Sequence, residues 1–333
     1  MGAVLITGGA GFVGLNLAEA LLRRGEDVVL YGHEAALPAG AAQAFAGLPG
    51  RLRLVQGDVR DAAALRGALA GVDRLFPFAA ITAGPAREAA DPEALVEVNV
   101  QGVIATLRAA RDAGGVRRVV LPSSAAVYGE SFYRFPEMDE ADTPAAPLGL
   151  YGVTKFAVER AGLRLCALWG LDAVAARIGG TFGPWERDTG VRDTLSPHLA
   201  IARAAAGRGE AVLPPAPLPA YDWIYVRDLA EGLLRLLDAP EPPHLVVNLA
   251  SGLDWAPHLP ACCDVLAGAF PGFRWRHAAA AEEPTVRFAE TRPRGVMRRA
   301  RAADFGWAPR HAPEAAYRDY AAWITANPLA IGA

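Results

Sequence analysis

Short apolar runs alternate along the chain with stretches whose apolar positions recur every third or fourth residue, which is strand followed by helix. Ala3–Thr7 is the first run, and Val13, Leu17 and Leu21 then share one face of a helix that stops at Gly25. Further strands are predicted at Asp27–Leu30, Arg51–Gln56, Val72–Ala80 and Val116–Leu121, with a helix starting near Ala62 and another carrying Asn99. A sixth strand ends at Arg177-Ile178. Strands and helices in this rhythm predict an α/β fold with a doubly wound parallel sheet, whose ligands bind beyond the carboxyl ends of the strands. Pro214-Pro215-Ala216-Pro217-Leu218-Pro219 cannot supply sheet hydrogen bonds and reads as a rigid surface connection.

The strand ends hold the chemistry. Gly8-Gly9-Ala10-Gly11-Phe12-Val13-Gly14 lies between the first strand and its helix. In that context the glycines let backbone approach a pyrophosphate, whose charge then sits at the helix N-terminus, so a dinucleotide cofactor is expected. The second strand ends where an acid usually holds the cofactor ribose, but this chain has Tyr31, Gly32 and His33 there. Without that acid a 2'-phosphate is no longer repelled, and His33 stands where it would approach one. The cofactor is therefore read as NAD or NADP, leaning slightly to NADP, with Glu34 opposing the phosphate. The alternative is that Tyr31 stacks near the adenosine and either cofactor binds. Asp58, in Gly57-Asp58-Val59, contacts the adenine edge or caps the following helix. Ala79-Ala80 are small enough for the cofactor to lie close.

Tyr151-Gly-Val-Thr-Lys155 holds the only lysine among 33 basic residues. A chain that uses arginine everywhere else keeps one compact ammonium here, and on a helix it shares a face with the Tyr151 hydroxyl. The charge is expected to pull the tyrosine below its ordinary pKa of about 10, toward a working general base.

Composition narrows the partners. The chain has 333 residues, 52% hydrophobic and 21% charged, which describes a soluble globular protein with ample core. A net charge of −3 spread along the sequence gives no footprint for nucleic acid or an anionic membrane. No apolar run approaches a membrane span, and glycines interrupt the only N-terminal apolar stretch, so no signal peptide is read. Three cysteines make no disulfide framework, which fits a cytoplasmic protein, and six scattered histidines predict no metal. Trp275, Trp307 and Trp323 are expected in the core.

The glycine turn, Gly-Asp-Val at 57–59, Asn-Val-x-Gly at Asn99, Ser-Ser-Ala-x-Val-Tyr-Gly at 123–129 and Tyr-x-x-x-Lys occur in one order. Together with Asp222-Trp-Ile-Tyr-Val-Arg-Asp-Leu-Ala, Asn248-Leu-Ala-Ser-Gly and Phe305-Gly-Trp-Ala-Pro, this set resembles the extended short-chain dehydrogenase/reductase family, in its nucleotide-sugar epimerase-like branch. The resemblance spans nearly the whole chain. It implies a Rossmann domain over 1–178 plus about 221–250 and a smaller discontinuous substrate-binding domain over about 179–220 plus 251–330, with the active site between them. It implies Tyr151 as catalytic base or acid, Lys155 on the nicotinamide ribose, Ser124 orienting the reacting oxygen and Asn99 on a water-linked proton path. A homodimer through the helices of Asn99 and Tyr151 is the family default.

Beside the serine, relatives that dehydrate or epimerise through an enolate carry an added acid, base or thiol; this chain has Ala125 and Ala126. Neither moves a proton. What remains is hydride exchange between the nicotinamide and a secondary alcohol or ketone of a sugar-like substrate, ending there in an oxidoreductase or reversing face in a UDP-hexose 4-epimerase with retained NAD. A non-catalytic dinucleotide sensor is the remaining alternative. Gly180 replaces the family's asparagine after the sixth strand, and Tyr221 replaces the arginine that ordinarily holds the substrate diphosphate. Losing such a charged hydrogen bond costs about 1.5 to 3 kcal/mol. Arg292 remains as a second phosphate-binding arginine, and Gly183–Asp193 reads as a charged loop over the substrate or in solvent, with Arg187 and Arg192 placed to receive a carboxylate or phosphate.

Overall fold

The computed structural model describes residues 2–289 and 291–331. Seven parallel strands form one sheet: β1 (Ala3–Thr7), β2 (Val28–Gly32), β3 (Leu52–Gln56), β4 (Val72–Pro77), β5 (Arg118–Ser124), β6 (Asp172–Ile178) and β7 (Val246–Leu249). Their order, β7-β6-β5-β4-β1-β2-β3, reverses direction between β1 and β4, the Rossmann arrangement that leaves a crevice at the carboxyl ends. β4 is shorter than the apolar run that predicts it. It stops at Pro77, and the next amide turns back, Phe78 N donating to Phe76 O at 2.9 Å. β5 runs further than its apolar residues, with Ser124 still in register with Ile178 of β6.

Helices cover both faces. α1 (Phe12–Arg23) and α5 (Val226–Asp238) pack on one, and α2 (Ala62–Ala68), α3 (Gly102–Ala113) and α4 (Leu150–Trp169) on the other. Leu15, Leu21 and Leu233 fill the first interface; Leu65, Leu107 and Val158 fill the second. Each helix hides one apolar stripe, and burial of such stripes, at about 25 cal/mol per Å², is the main force holding the three layers together. Asp61 caps α2, accepting from Ala63 N and Ala64 N, so the capping alternative for Asp58 falls to its neighbour.

The segments 179–220 and beyond Leu249 stay outside the large sheet. Together with Trp223–Tyr225 and Glu137–Met138 they form three two-stranded parallel ribbons among the described residues, and they carry the helices Pro197–Ala206, Leu259–Ala269 and Pro313–Ala326. An aromatic cluster centres on Phe182, with His198 stacked on it at 3.8 Å and Trp255, Tyr317 and Tyr320 around it. Complete burial pushes the His198 imidazole down to about 3, so it packs as a neutral ring. Trp307 and Trp323 lie in the core, and Trp275 packs against its edge. Among the described residues no helix is long and apolar enough to cross a membrane.

Candidate active site

One cavity of about 690 Å³ opens at the carboxyl ends of β1, β2, β4, β5 and β6. Its floor is the turn Gly8–Gly14. Gly8 adopts φ +62, and a Cβ there would meet Ala79 Cα at 2.7 Å. A Cβ at Gly14 would strike Gly9 O at 2.5 Å. The turn is therefore drawn tight by contacts that only glycine permits, and α1 begins within it at Phe12, with no side chain capping its first amides. Bare N–H groups at a helix N-terminus facing an open cavity fit a pyrophosphate. Gly8, Gly11, Phe12, Val13, Gly14, Ala79 and Ala80 all line this wall.

At the adenosine end the residues after β2 divide. Tyr31 does not line the cavity: it is fully buried, its hydroxyl donates to Asp58 O at 2.9 Å, and burial raises its pKa. The side chain points to the core face of an entirely buried strand, so stacking on an adenosine is ruled out by orientation. His33 lines the cavity and is largely exposed, 3.8 Å from Glu34. Glu34, one position further, also faces the cavity. Asp58 and Val59 line it too, but Asp58 is held by Arg60 through contacts of 2.6 to 3.1 Å, which keep its carboxyl below the usual range. Arg60 in turn reaches Glu97 at 2.5 Å.

The reacting end gathers three hydroxyls. Tyr151 stands in the first turn of α4, its own amide bound by Glu88 at 3.1 Å, and its ring faces the same cavity as the Ser124 and Thr82 side chains, whose hydroxyls favour its ionised form. No sequence motif flagged Thr82. It faces Tyr151 because the backbone after β4 pairs with the loop, Thr82 N donating to Val191 O at 2.8 Å and Asp193 N to Thr82 O at 2.9 Å. Ser124 Oγ also accepts from Ala126 N at 3.1 Å.

Lys155 is buried, with Nζ 5.6 Å from the Tyr151 ring centre, and burial pushes its ammonium down to about 8. The expectation that Lys155 acidifies Tyr151 is not met. Burial raises the Tyr151 pKa, and the influences that lower it are the Ser124 and Thr82 hydroxyls and the Arg192 guanidinium.

Asn99 stays outside the cavity lining. It occupies a π-helical turn, Glu97–Gln101, accepts from Ile81 N at 2.7 Å, and donates to Ile81 O at 3.0 Å and Thr154 Oγ1 at 3.2 Å. All its hydrogen-bonding groups thus tie the chain after β4 to α4. The ends of β5 and β6 are braced by a buried pair, Arg177 to Glu159 at 2.8 Å through two nitrogens, with Ser123 Oγ donating to the same carboxylate at 2.7 Å.

On the far wall, two departures from the resemblance explain each other. A Cβ at Gly180 would lie 2.4 Å from the Tyr221 ring, so the residue that loses a side chain makes room for the one that gains an aromatic. Tyr221 stacks on Trp223 with centroids 4.5 Å apart, and Arg294 lies over Tyr221 and Phe132 at 4.8 and 3.9 Å. Arg294 lines the cavity, whereas Arg292 lies over Tyr133 at 3.6 Å and outside the lining. The two stand on opposite sides of Pro293, and sequence alone offered no sign of which faces inward.

Gly183–Asp193 is anchored to α1 and to the segment after β4 rather than loose in solvent. Asn16 donates to Pro184 O at 2.8 Å, Trp185 Nε1 to Glu19 at 3.0 Å, and Arg87 grips Asp193 at 2.7 Å. Arg192 packs over Phe12 at 4.9 Å, oriented by buried Glu186 at 3.0 Å, and faces the Tyr151 end. Arg187 reaches the glycine turn itself, Nη2 donating to Ala10 O at 2.5 Å.

Comparison with known proteins adds four findings. The family described as NAD dependent epimerase/dehydratase matches residues 4–250. The UDP-glucose 4-epimerase of Streptomyces lividans is 34% identical over 270 residues, 75% of this chain and 76% of that protein. The D-erythronate dehydrogenase of Cupriavidus necator is 38% identical over 163 residues, 46% of this chain and 47% of that protein. Among solved structures, a UDP-glucose 4-epimerase from Bifidobacterium longum in complex with NAD+ and UDP superposes with a TM-score of 0.77 at 21% identity, covering 98% of this chain and 99% of that one.

Proposed function

This chain belongs to the NAD dependent epimerase/dehydratase family, and from that premise we propose that it exchanges hydride between NAD and a secondary carbinol carbon of a hydroxylated, sugar-like substrate. The observation that carries this reading is the convergence of the Tyr151, Ser124 and Thr82 hydroxyls in one cavity with a glycine-built cradle. Bound NAD supplies the hydride acceptor and, oxidised, a positively charged ring.

The chain's own residues do the rest. Tyr151 takes the proton from the carbinol oxygen as the carbon is oxidised and returns it on reduction. Ser124 and Thr82 hold that oxygen in line, and Lys155 binds the nicotinamide ribose. Asn99 positions α4 through Thr154 and Ile81 rather than touching substrate. The leaning to NADP finds no support: the Bifidobacterium longum structure carries NAD+, and an acid, Glu34, faces the cavity after all.

Two outcomes for the hydride stay within this chemistry. Tyr221 in place of a diphosphate-binding arginine, and likeness to D-erythronate dehydrogenase, favour net oxidation of a small sugar acid. Likeness to UDP-glucose 4-epimerase, and the cation Arg294 over the aromatic wall, favour return of the hydride to the opposite face of a nucleotide sugar. The proposed Rossmann and substrate domains meet at this cavity. The exposed apolar side chains of Val96 and Val153, on the helices near Asn99 and Tyr151, support a homodimer through them. Three free, buried cysteines fit the reducing cytoplasm.

Purified protein offered sugar acids, free sugars and UDP-sugars separates the outcomes. Net oxidation changes nicotinamide absorbance only with added NAD, whereas epimerisation turns over on retained cofactor with no net change. In either case Tyr151→Phe is expected to lower turnover by about 10²- to 10⁴-fold with NAD affinity unchanged. Full turnover by that variant defeats the reading.

A further inference from the structure

Two polar atoms of opposite charge in the cavity lack partners. Glu34 Oε2 and Arg187 Nη1 are both shut off from solvent, and neither makes a hydrogen bond among the described residues. Both residues line the same cavity, yet no ion pair joins them. An unmatched charged atom kept out of water is costly, and a complementary set facing one space is resolved by a ligand that donates to one and accepts from the other.

Their placement says which part of a ligand that is. Glu34 follows β2 and folds back over Gly32, where a Cβ would lie 2.6 Å from Oε2, so the glycine admits the carboxylate to the strand end. In this fold the acid that meets the ribose stands at the end of β2. Here Tyr31 fills that strand position and turns away, and Glu34 reaches the same space from beyond the strand.

Arg187 arrives from the opposite direction, out of Gly183–Asp193, and rests on Ala10 of the glycine turn at 2.5 Å. Its arm is fixed. Trp185 is buried with φ +66, held by Glu19 and by Phe45 and Trp323 at 5.7 and 5.1 Å. The other acid nearby, Asp58, is already taken by Arg60.

We infer that Glu34 and Arg187 together hold the adenosine ribose of the dinucleotide, Glu34 accepting from a ribose hydroxyl and Arg187 donating to ribose oxygen, and that this pair sets the choice of NAD over its 2'-phosphorylated form. Glu34 repels a 2'-phosphate. Arg187 is a latent receptor for that phosphate, masked only by the acid beside it. The inference rests on the dinucleotide reading above and adds the residues that discriminate between the two cofactors.

Calorimetric binding of NAD and NADP to the full chain, freed of co-purified dinucleotide, tests it in wild type, Glu34→Ala, Glu34→Gln, Arg187→Ala and the Glu34→Ala/Arg187→Ala double variant. Wild type is expected to prefer NAD. Glu34→Ala and Glu34→Gln each weaken NAD, by about tenfold for the alanine, and strengthen NADP, so the preference collapses or reverses. Arg187→Ala weakens NAD, and in the double variant the NADP gain of Glu34→Ala disappears. A wild-type NAD:NADP ratio retained in both Glu34 variants overturns the inference while leaving the cofactor reading intact, as does an NADP gain that survives loss of Arg187. Wild type that binds neither dinucleotide overturns both.

Discussion

The two walls of the cavity are built differently. On the cofactor wall each feature stands beside the strand that presents it: Gly8–Gly14 after β1, Asp58 after β3, Ala79 and Ala80 after β4. On the substrate wall residues meet only through the fold. Gly180 opens the space that Tyr221 occupies, Tyr221 supports Arg294, and Glu186 orients Arg192. The first wall is a set of local backbone solutions that no neighbour can replace. The second is a set of pairwise fits, in which one change is tolerated if its partner changes too.

That contrast breaks most sharply at Gly8. Gly8→Ala combines a left-handed φ of +62 with a methyl 2.7 Å from the Ala79 backbone, and is expected to cost about 2–6 kcal/mol and to abolish NAD binding. Urea unfolding and calorimetry measure both, and no second-site substitution among side chains should rescue it, because the obstruction is backbone.

Gly180→Asn should cost less, about 1–3 kcal/mol, since the atom in the way belongs to a side chain. Adding Tyr221→Ala should recover most of that loss, and strictly additive single and double variants would erase the distinction between the walls.

The last effect is a pH dependence confined to Lys155. Its folded pKa is depressed to about 8 from 10.5, so between those values the unfolded chain binds more protons and stability rises with pH. Below pH 8 the full penalty for a buried ammonium applies. The stability of wild type relative to Lys155→Met, from urea midpoints at pH 7 to 10, is therefore expected to climb above pH 8. A flat difference would mean that the amine is solvated.

The same contrast decides what the amino-acid sequence discloses. The strands, the glycine cradle, Ser124 and the Tyr151–Lys155 spacing are legible because each depends on neighbours in the chain, and β1 matches its reading residue for residue. Tyr31 misleads because residues along a strand alternate faces, and its face is turned to the core. Glu34 is read only as opposing a phosphate, since nothing local shows that Gly32 lets its carboxylate fold inward. Thr82 has no motif at all; only the backbone pairing with Val191 and Asp193 brings it to Tyr151. Arg294 and Arg292 flank one proline and differ only in which ring they lie over.

The anchoring of Gly183–Asp193 bears on how this protein can be taken apart. By chain order the segment follows β6, but Asn16, Glu19, Ala10, Thr82 and Arg87 of the first half all hold on to it. A fragment truncated at Ile178 would strip that segment from the nucleotide crevice and remove β7 and α5 as well. The smallest autonomous piece that keeps the crevice intact is thus larger than the continuous stretch carrying the recognisable motifs, and dissection by proteolysis should release no stable N-terminal half.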